Sequence, residues 1–159
     1  MEKKGNDGKS NNLSRDDWET PNKIINMLKK QYDFTFDCCA LEENKKFNNF
    51  SSNFETIKKV EGIAWMNPPF SIAFKMFEHF FKVVNKGVSI YRCDNMETKI
   101  WQELILQKAD WVLIPKGRVA YDYNPELRDG KGCRFPSALI GIGVEPPVFY
   151  EGKILFTNN

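Results

Sequence analysis

Histidine is almost missing from this chain: His79 is the single one among 159 residues. That scarcity excludes an HExxH metal helix and any centre built on two histidines. Cysteine is sparse as well. Cys38, Cys39, Cys93 and Cys133 form no CxxC pair, which argues against a zinc ribbon, and no metal is expected. No apolar run reaches the length of a membrane span and no signal-peptide pattern is visible. The expected address is therefore cytoplasmic, with no membrane partner and with reduced thiols. An excess of one charge is lacking too: 23 basic against 21 acidic side chains leave a net +2. That balance neither demands nor opposes a nucleic-acid partner, because a local basic face is enough.

Aromatic rings are abundant, with 13 Phe, 5 Tyr and 4 Trp. Each buries a large area, so a chain of this length can build one firm core. Residues 1–14, MEKKGNDGKSNNLS, carry no apolar periodicity and read as a flexible polar tail ahead of a single domain, 15–159.

Along that domain, Thr20 is expected to cap a helix whose first residue is Pro21, with Ile24, Ile25 and Leu28 on one face. Phe34–Asp37 reads as a short strand ending in an acid. The polar stretch 41–60 reads as a short helix and then a loop, with Phe47, Phe50 and Phe54 partly buried. Gly62–Met66 is an apolar run stopped by two prolines, the pattern of a buried strand. Ala73, Met76, Phe77, Phe80, Phe81 and Val84 keep a helical rhythm that Gly87 is expected to end. Strand Val88–Tyr91, an amphipathic segment with Ile100, Trp101, Leu104 and Ile105, and strand Trp111–Ile114 follow. Then come Gly117–Tyr121, a polar loop, Ser137–Gly143 and Val148–Phe156, strands without helices between them. Alternating strands and helices predict an α/β fold with a mostly parallel sheet and an antiparallel C-terminal part. Ligands of such sheets sit beyond the carboxyl ends of the parallel strands, which points to the loops after Asp37 and Met66.

Asn67-Pro68-Pro69-Phe70 occupies the second of these positions. Two prolines fix two φ angles and remove two donors, so the carbonyls and the Asn side chain are held rigidly at the strand end. This arrangement suits a planar heterocycle bearing an exocyclic amine. Its ring would stack on Phe70, and its NH2 would donate to the Asn67 side-chain oxygen and the Pro68 carbonyl. Two acceptors draw the amine nitrogen out of conjugation, free its lone pair for an electrophilic methyl group, and stabilise the positive charge that develops. No metal, nucleophile or histidine base is required. The plainer reading, that the four residues form only a turn in a structural domain, stays open on the motif alone.

With its surroundings the chain resembles a known family. Asn67-Pro68-Pro69-Phe70 is similar to the [DNS]PP[YFW] motif of S-adenosylmethionine-dependent amino-methyltransferases. The layout resembles the phage-type DNA N6-adenine methyltransferases (Dam-type) over about residues 18–143. Trp18-Glu19-Thr20-Pro21 opens it, and Phe34-Thr35-Phe36-Asp37-Cys38-Cys39-Ala40-Leu41 follows with Asn44 downstream. The NPPF motif comes next, then Asp94 to Trp101, Gly117-Arg118, and Phe135-Pro136-Ser137-Ala138. The resemblance implies an abbreviated Rossmann-like methyltransferase sheet and S-adenosylmethionine as cofactor. It implies Asn67, Pro68, Pro69 and Phe70 as the residues holding a flipped adenine of DNA. It implies Thr20, Pro21, Asp37 and the backbone of Cys38, Cys39 and Ala40 against the cofactor, while Trp18 either covers the cofactor adenine or belongs to the core. Glu42 and Glu43 are candidates for its ribose, and Asp94 and Arg118 are possible accessory residues. A phage or prophage source in a bacterial host would go with it.

Two alternatives remain on sequence alone. One is a catalytically inactive DNA-binding remnant, since Asp37-Cys38-Cys39-Ala40-Leu41 lacks the Gly and the small or Pro residue usual after that acid. The other is an RNA or protein amine methyltransferase, because similar NPP[YF] motifs serve those acceptors. Cytosine-C5 chemistry is disfavoured, as no Pro-Cys pair occurs.

Overall fold

The computed structural model describes residues 18–121, 133–148 and 150–157. The expected tail 1–14 and the polar loop after Tyr121 lie outside the described residues.

Six strands form an open sheet in the order β1–β2–β3–β7–β4–β8. They are β1 (Phe34–Asp37), β2 (Val60–Met66), β3 (Val84–Arg92), β4 (Trp111–Pro115), β7 (Ser137–Ile142) and β8 (Gly152–Thr157). β1, β2 and β3 pair in parallel. β7 runs antiparallel to both β3 and β4, so β4 shares the direction of the first three. β8 closes the edge antiparallel to β4. This is a Rossmann-like sheet, parallel at its start and antiparallel in its C-terminal part.

Two features depart from simple succession. β7 inserts between β3 and β4 instead of extending the edge. β5 (Val119–Tyr121) leaves the sheet and pairs with β6 (Cys133–Phe135) as a separate ribbon. The insertion depends on a missing side chain. Gly141 lies opposite Trp111, and a Cβ there would stand 2.0 Å from the indole ring. That ring cannot retreat: it is buried, and its Nε1 donates to the Val144 carbonyl at 2.8 Å. Gly141→Ala is expected to cost about 3 kcal/mol of stability by overpacking, read as a lower urea midpoint with an unchanged slope.

Helix α1 (Asn22–Leu28) begins one residue later than the sequence suggests. Pro21 is extended (φ −61°, ψ 142°), and its carbonyl accepts from the Ile24 and Ile25 amides. Thr20 therefore does not cap the helix, and its side chain is turned inward, fully buried. Before β2 opens at Val60, the stretch from 41 holds no α-helix: a turn at 42–44, a bridge from Phe50 to Asp37 and a 3-10 turn at Phe54–Thr56. Its polar residues lack the apolar stripe that would pay for a helix by packing.

α2 (Ala73–Val83) buries Ala73, Met76, Phe77 and Phe80, as the periodicity predicts, together with Val83, while Phe81 is half-buried, Phe74 stays exposed and Val84 already belongs to β3. The helix ends at Val84, which is already extended, so Gly87 is not its stop. Gly87 lies inside β3 opposite Ala64, where a Cβ would press on the Ala64 carbonyl and the Phe80 ring at 3.0 Å. Gly here admits the close return of helix onto strand. Next, Ile100–Ile105 forms a π-helical segment continued by α3 (Leu106–Lys108), and buries Ile100, Trp101, Leu104 and Ile105. The expected strand at Val148 starts only at Gly152, because the Val148 amide is held by the Gln31 side chain at 2.8 Å. Trp65, Trp101, Trp111, Phe77 and Phe80 are among the largest fully buried side chains, the aromatic core that the composition implies.

Candidate active site

The chain leaving β1 is stitched down on both sides. Cys38 donates its amide to the Trp65 carbonyl of β2, at 2.9 Å. On the other side Asp37 and Ala40 donate to the Asn49 and Ser51 carbonyls, and Ser51 donates back to Asp37. These bonds hold open a cavity of about 360 Å³ at the carboxyl ends of β1 and β2. Its walls come from four places: residues 18–20, Asp37–Leu41 with Asn44 and Lys46, residues 51–55, and Asn67, Pro69, Ile72 and Met76 beyond β2.

Two oxygens of this wall lack a well-formed partner. Thr20 Oγ1 is buried with no hydrogen bond, and buried Asp37 Oδ1 has no well-formed one, only the nearby Cys39 amide directed at the carboxyl. The other Asp37 oxygen accepts the Lys46 amide at 2.9 Å. Burial pushes the Asp37 carboxyl up to about 6, opposed by the amide dipoles of Lys46 and Cys39 and by the Lys46 ammonium. A buried polar atom without a partner costs roughly 1–3 kcal/mol, so such a pair of atoms marks a place where a ligand supplies the missing bonds. Glu19, Asp37, Glu55 and Lys46 also face the cavity, and Glu55 is paired from outside it with Lys75 at 3.4 Å.

Asn67 closes the cavity on the β2 side. Its Nδ2 donates to the Trp18 carbonyl at 3.1 Å. That bond uses the donor end of the amide, so the acceptor oxygen is the end left for a ligand. Among the other residues nominated from sequence, Trp18, Thr20, Asp37, Cys38, Cys39, Ala40 and Pro69 line the cavity, whereas Pro21, Pro68 and Phe70 do not. The Cys38 and Ala40 amides are already spent within the fold. Burial, with the Asp37 charge adding to it, pushes both the Cys38 and the Cys39 thiol up, which keeps them protonated and inert. Glu42 and Glu43 are exposed and stand outside the cavity wall.

Phe70 belongs to a neighbouring aromatic cluster. Its ring meets Tyr91 (5.8 Å, 89°) and Phe135 (5.5 Å, 70°), and Phe135 meets Trp18 (5.8 Å, 81°). Trp18 thus joins the two halves of the site: its carbonyl holds Asn67 and its ring supports Phe135. Above the cluster lies Arg92, the last residue of β3, with its guanidinium carbon 5.6 Å from the Phe70 centroid and 5.2 Å from that of Phe135. Asp94 grips that guanidinium with both oxygens, Nε–Oδ1 at 2.6 Å and Nη2–Oδ2 at 2.5 Å. These bonds hold the Asp94 carboxyl below its ordinary range, with the exposed Arg118 adding its charge. Asp94 and Arg118 are therefore brought together, on the Phe70 side and outside the cavity wall.

Sequence reasoning did not single out Lys46, Glu55 or Arg92. The first two sit in the aperiodic stretch after β1, and Arg92 reads as an ordinary strand end. His79 is engaged elsewhere, its Nε2 2.6 Å from the Ile57 carbonyl, in a bond that ties α2 to the chain beside residues 51–55. Among the described residues no cluster of His, Cys, Asp and Glu could hold a metal ion, and no helix is long and apolar enough to cross a membrane.

An open Rossmann-like sheet, with a ligand-sized cavity where two parallel strands end and an Asn-Pro-Pro-Phe turn on its wall, defines the class. Within it, residues 7–138 match the family described as DNA N-6-adenine-methyltransferase (Dam), and the chain belongs to that family. Comparison with curated proteins gives no match.

Proposed function

We propose that this protein transfers a methyl group from S-adenosylmethionine to the N6 amine of adenine in DNA. The observation that carries the reading is the shared wall: the cavity with the under-satisfied Thr20 and Asp37 oxygens is bounded by Asn67, whose amide oxygen is turned free by the Trp18 carbonyl. Family membership supplies the substrate class.

The residues present fit S-adenosylmethionine. Its hydroxyl and ammonium donors match the Asp37 carboxylate, its acceptors match the Thr20 hydroxyl, and its carboxylate has Lys46 as a counter-charge. When bound, it supplies a methyl group made electrophilic by a sulfonium.

On the acceptor side, Asn67 Oδ1 and the Pro68 carbonyl take the two hydrogens of the adenine amine. They pull its nitrogen toward tetrahedral geometry and stabilise the positive charge it acquires. The excess proton then leaves to water. The adenine must be out of the duplex stack to reach these acceptors, so base flipping is part of the reading. The rest is positioning, which the two prolines serve by holding the acceptors rigid.

Thr20→Val tests the cavity. Replacing an unpartnered buried hydroxyl by a methyl group is expected to raise the stability of the free protein by about 1 kcal/mol. The same change is expected to weaken S-adenosylmethionine binding roughly tenfold, one hydrogen bond's worth, in calorimetric titration. Lower stability together with unchanged affinity would count against the assignment.

A further inference from the structure

Phe70 is only 9 % exposed and is enclosed by Tyr91, Phe135 and the Arg92 guanidinium. A base that stacks on Phe70 needs a ring-sized gap beside it, so one neighbour has to leave. Tyr91 belongs to β3 and is 5 % exposed. Phe135 is braced by Tyr121 (5.5 Å) and Trp18 (5.8 Å). Arg92 differs from both. It has a flexible stem, and its side chain is 22 % exposed and held from the solvent side by Asp94, itself 34 % exposed. Only its side chain need turn, because its carbonyl accepts the Trp101 Nε1 at 3.0 Å and keeps the backbone in place. A guanidinium is planar, delocalised and fond of aromatic faces, so it fills a slot made for a planar heterocycle without a void.

We propose that the Arg92 guanidinium holds the target-base slot in the free protein, latched by Asp94, and swings out when the flipped adenine comes to lie on Phe70. The proposal rests on the reading above, in which Phe70 carries the base. The latch has a natural key. The fork that grips the Asp94 carboxylate matches a phosphate equally well, so the DNA backbone competes with Asp94 for Arg92 as the base arrives. The slot thus stays dry and shaped without DNA and opens at the moment of docking.

The test uses the full chain saturated with S-adenosylhomocysteine, so that the cofactor cavity is filled, and 9-methyladenine as the probe base, titrated by NMR. In the wild type, the Arg92 Nε–H resonance is expected to lie in the ring-current field of Phe70 and Phe135 and to leave it as 9-methyladenine binds. Arg92→Ala is expected to bind the probe about tenfold tighter, since no cation–π contact or ion pair has to be broken first. Asp94→Asn, which keeps the guanidinium but loosens the latch, is expected to bind it about threefold tighter. Equal or weaker binding by both variants, or an Arg92 resonance that stays put at saturation, overturns the latch. Phe70→Ala separates the two levels: if it leaves probe binding unchanged, the reading of Phe70 as the base platform fails, and the latch fails with it.

Discussion

Asn67→Ala is expected to lower kcat for adenine methylation by about 10²–10³, the loss typical of one preorganised group aimed at developing charge. The variant removes the acceptor oxygen and leaves the Trp18 carbonyl without its donor. The second effect costs about 1 kcal/mol of stability. Because Asn67 lines the cofactor cavity and its bond fixes the Trp18 carbonyl beside Thr20, S-adenosylmethionine affinity is expected to fall too, but by less than kcat. Asn67→Asp sharpens the assignment. It keeps an acceptor for the amine but turns an anion toward the Trp18 carbonyl. Its kcat should therefore fall between wild type and Asn67→Ala. A kcat for Asn67→Ala within a few-fold of wild type would remove Asn67 from the mechanism. Single-turnover kinetics with S-adenosylmethionine bound in advance would separate the transfer step from binding.

The second large effect concerns Asp37. Its carboxyl titrates at about 6 in the folded protein because burial disfavours the charged form. A ligand that donates to the carboxylate binds the ionised form. The apparent affinity for S-adenosylmethionine should then rise with pH through 6 and level off above it, and at pH 5 should be weaker than at pH 8 by about tenfold. Asp37→Asn should bind weakly and without that pH step. Stability of the free protein runs the other way. The folded value is raised above the ordinary carboxylate value of 3.8, so the folded state holds this proton more tightly than the unfolded one. This group's penalty is fully present above pH 6 and is relieved as pH falls toward 4. Asp37→Asn is therefore expected to stabilise the free protein at pH 7 by about 2 kcal/mol while abolishing tight cofactor binding. A variant that loses stability at pH 7 would mean the carboxylate is satisfied within the fold. These opposed effects at one residue are the expected signature of a site kept strained for its ligand.

The parts of the site legible in the sequence are those with strong local patterns. The apolar run of β2, cut by Pro68 and Pro69, had to end there, and the 3.6-residue rhythm of α2 had to follow. Asp37 was legible as a polar residue terminating a short aromatic strand. The illegible parts depend on distant contacts. Nothing near Gly141 announces that Trp111 will lie on it, yet that contact lets β7 slip between β3 and β4. Gly87 carries the same signal as a helix stop but serves a close helix-on-strand approach. Thr20 before Pro21 reads as a cap, and only the tertiary structure turns its hydroxyl into the cavity wall. Lys46 and residues 51–55 complete the cavity from a polar stretch without periodicity, where backbone bonds to Asp37 and Ala40 replace regular structure. Arg92 acquires its meaning from Phe70 and Phe135, far apart in the chain.

The most direct test of the central claim is nucleoside mass spectrometry of duplex DNA incubated with the protein and S-adenosylmethionine carrying a deuterated methyl group. Trideuterated N6-methyl-2′-deoxyadenosine is expected, dependent on the wild-type protein and lost with Asn67→Ala. Absence of labelled adenine with active-site residues intact, or label found on cytosine instead, would contradict it.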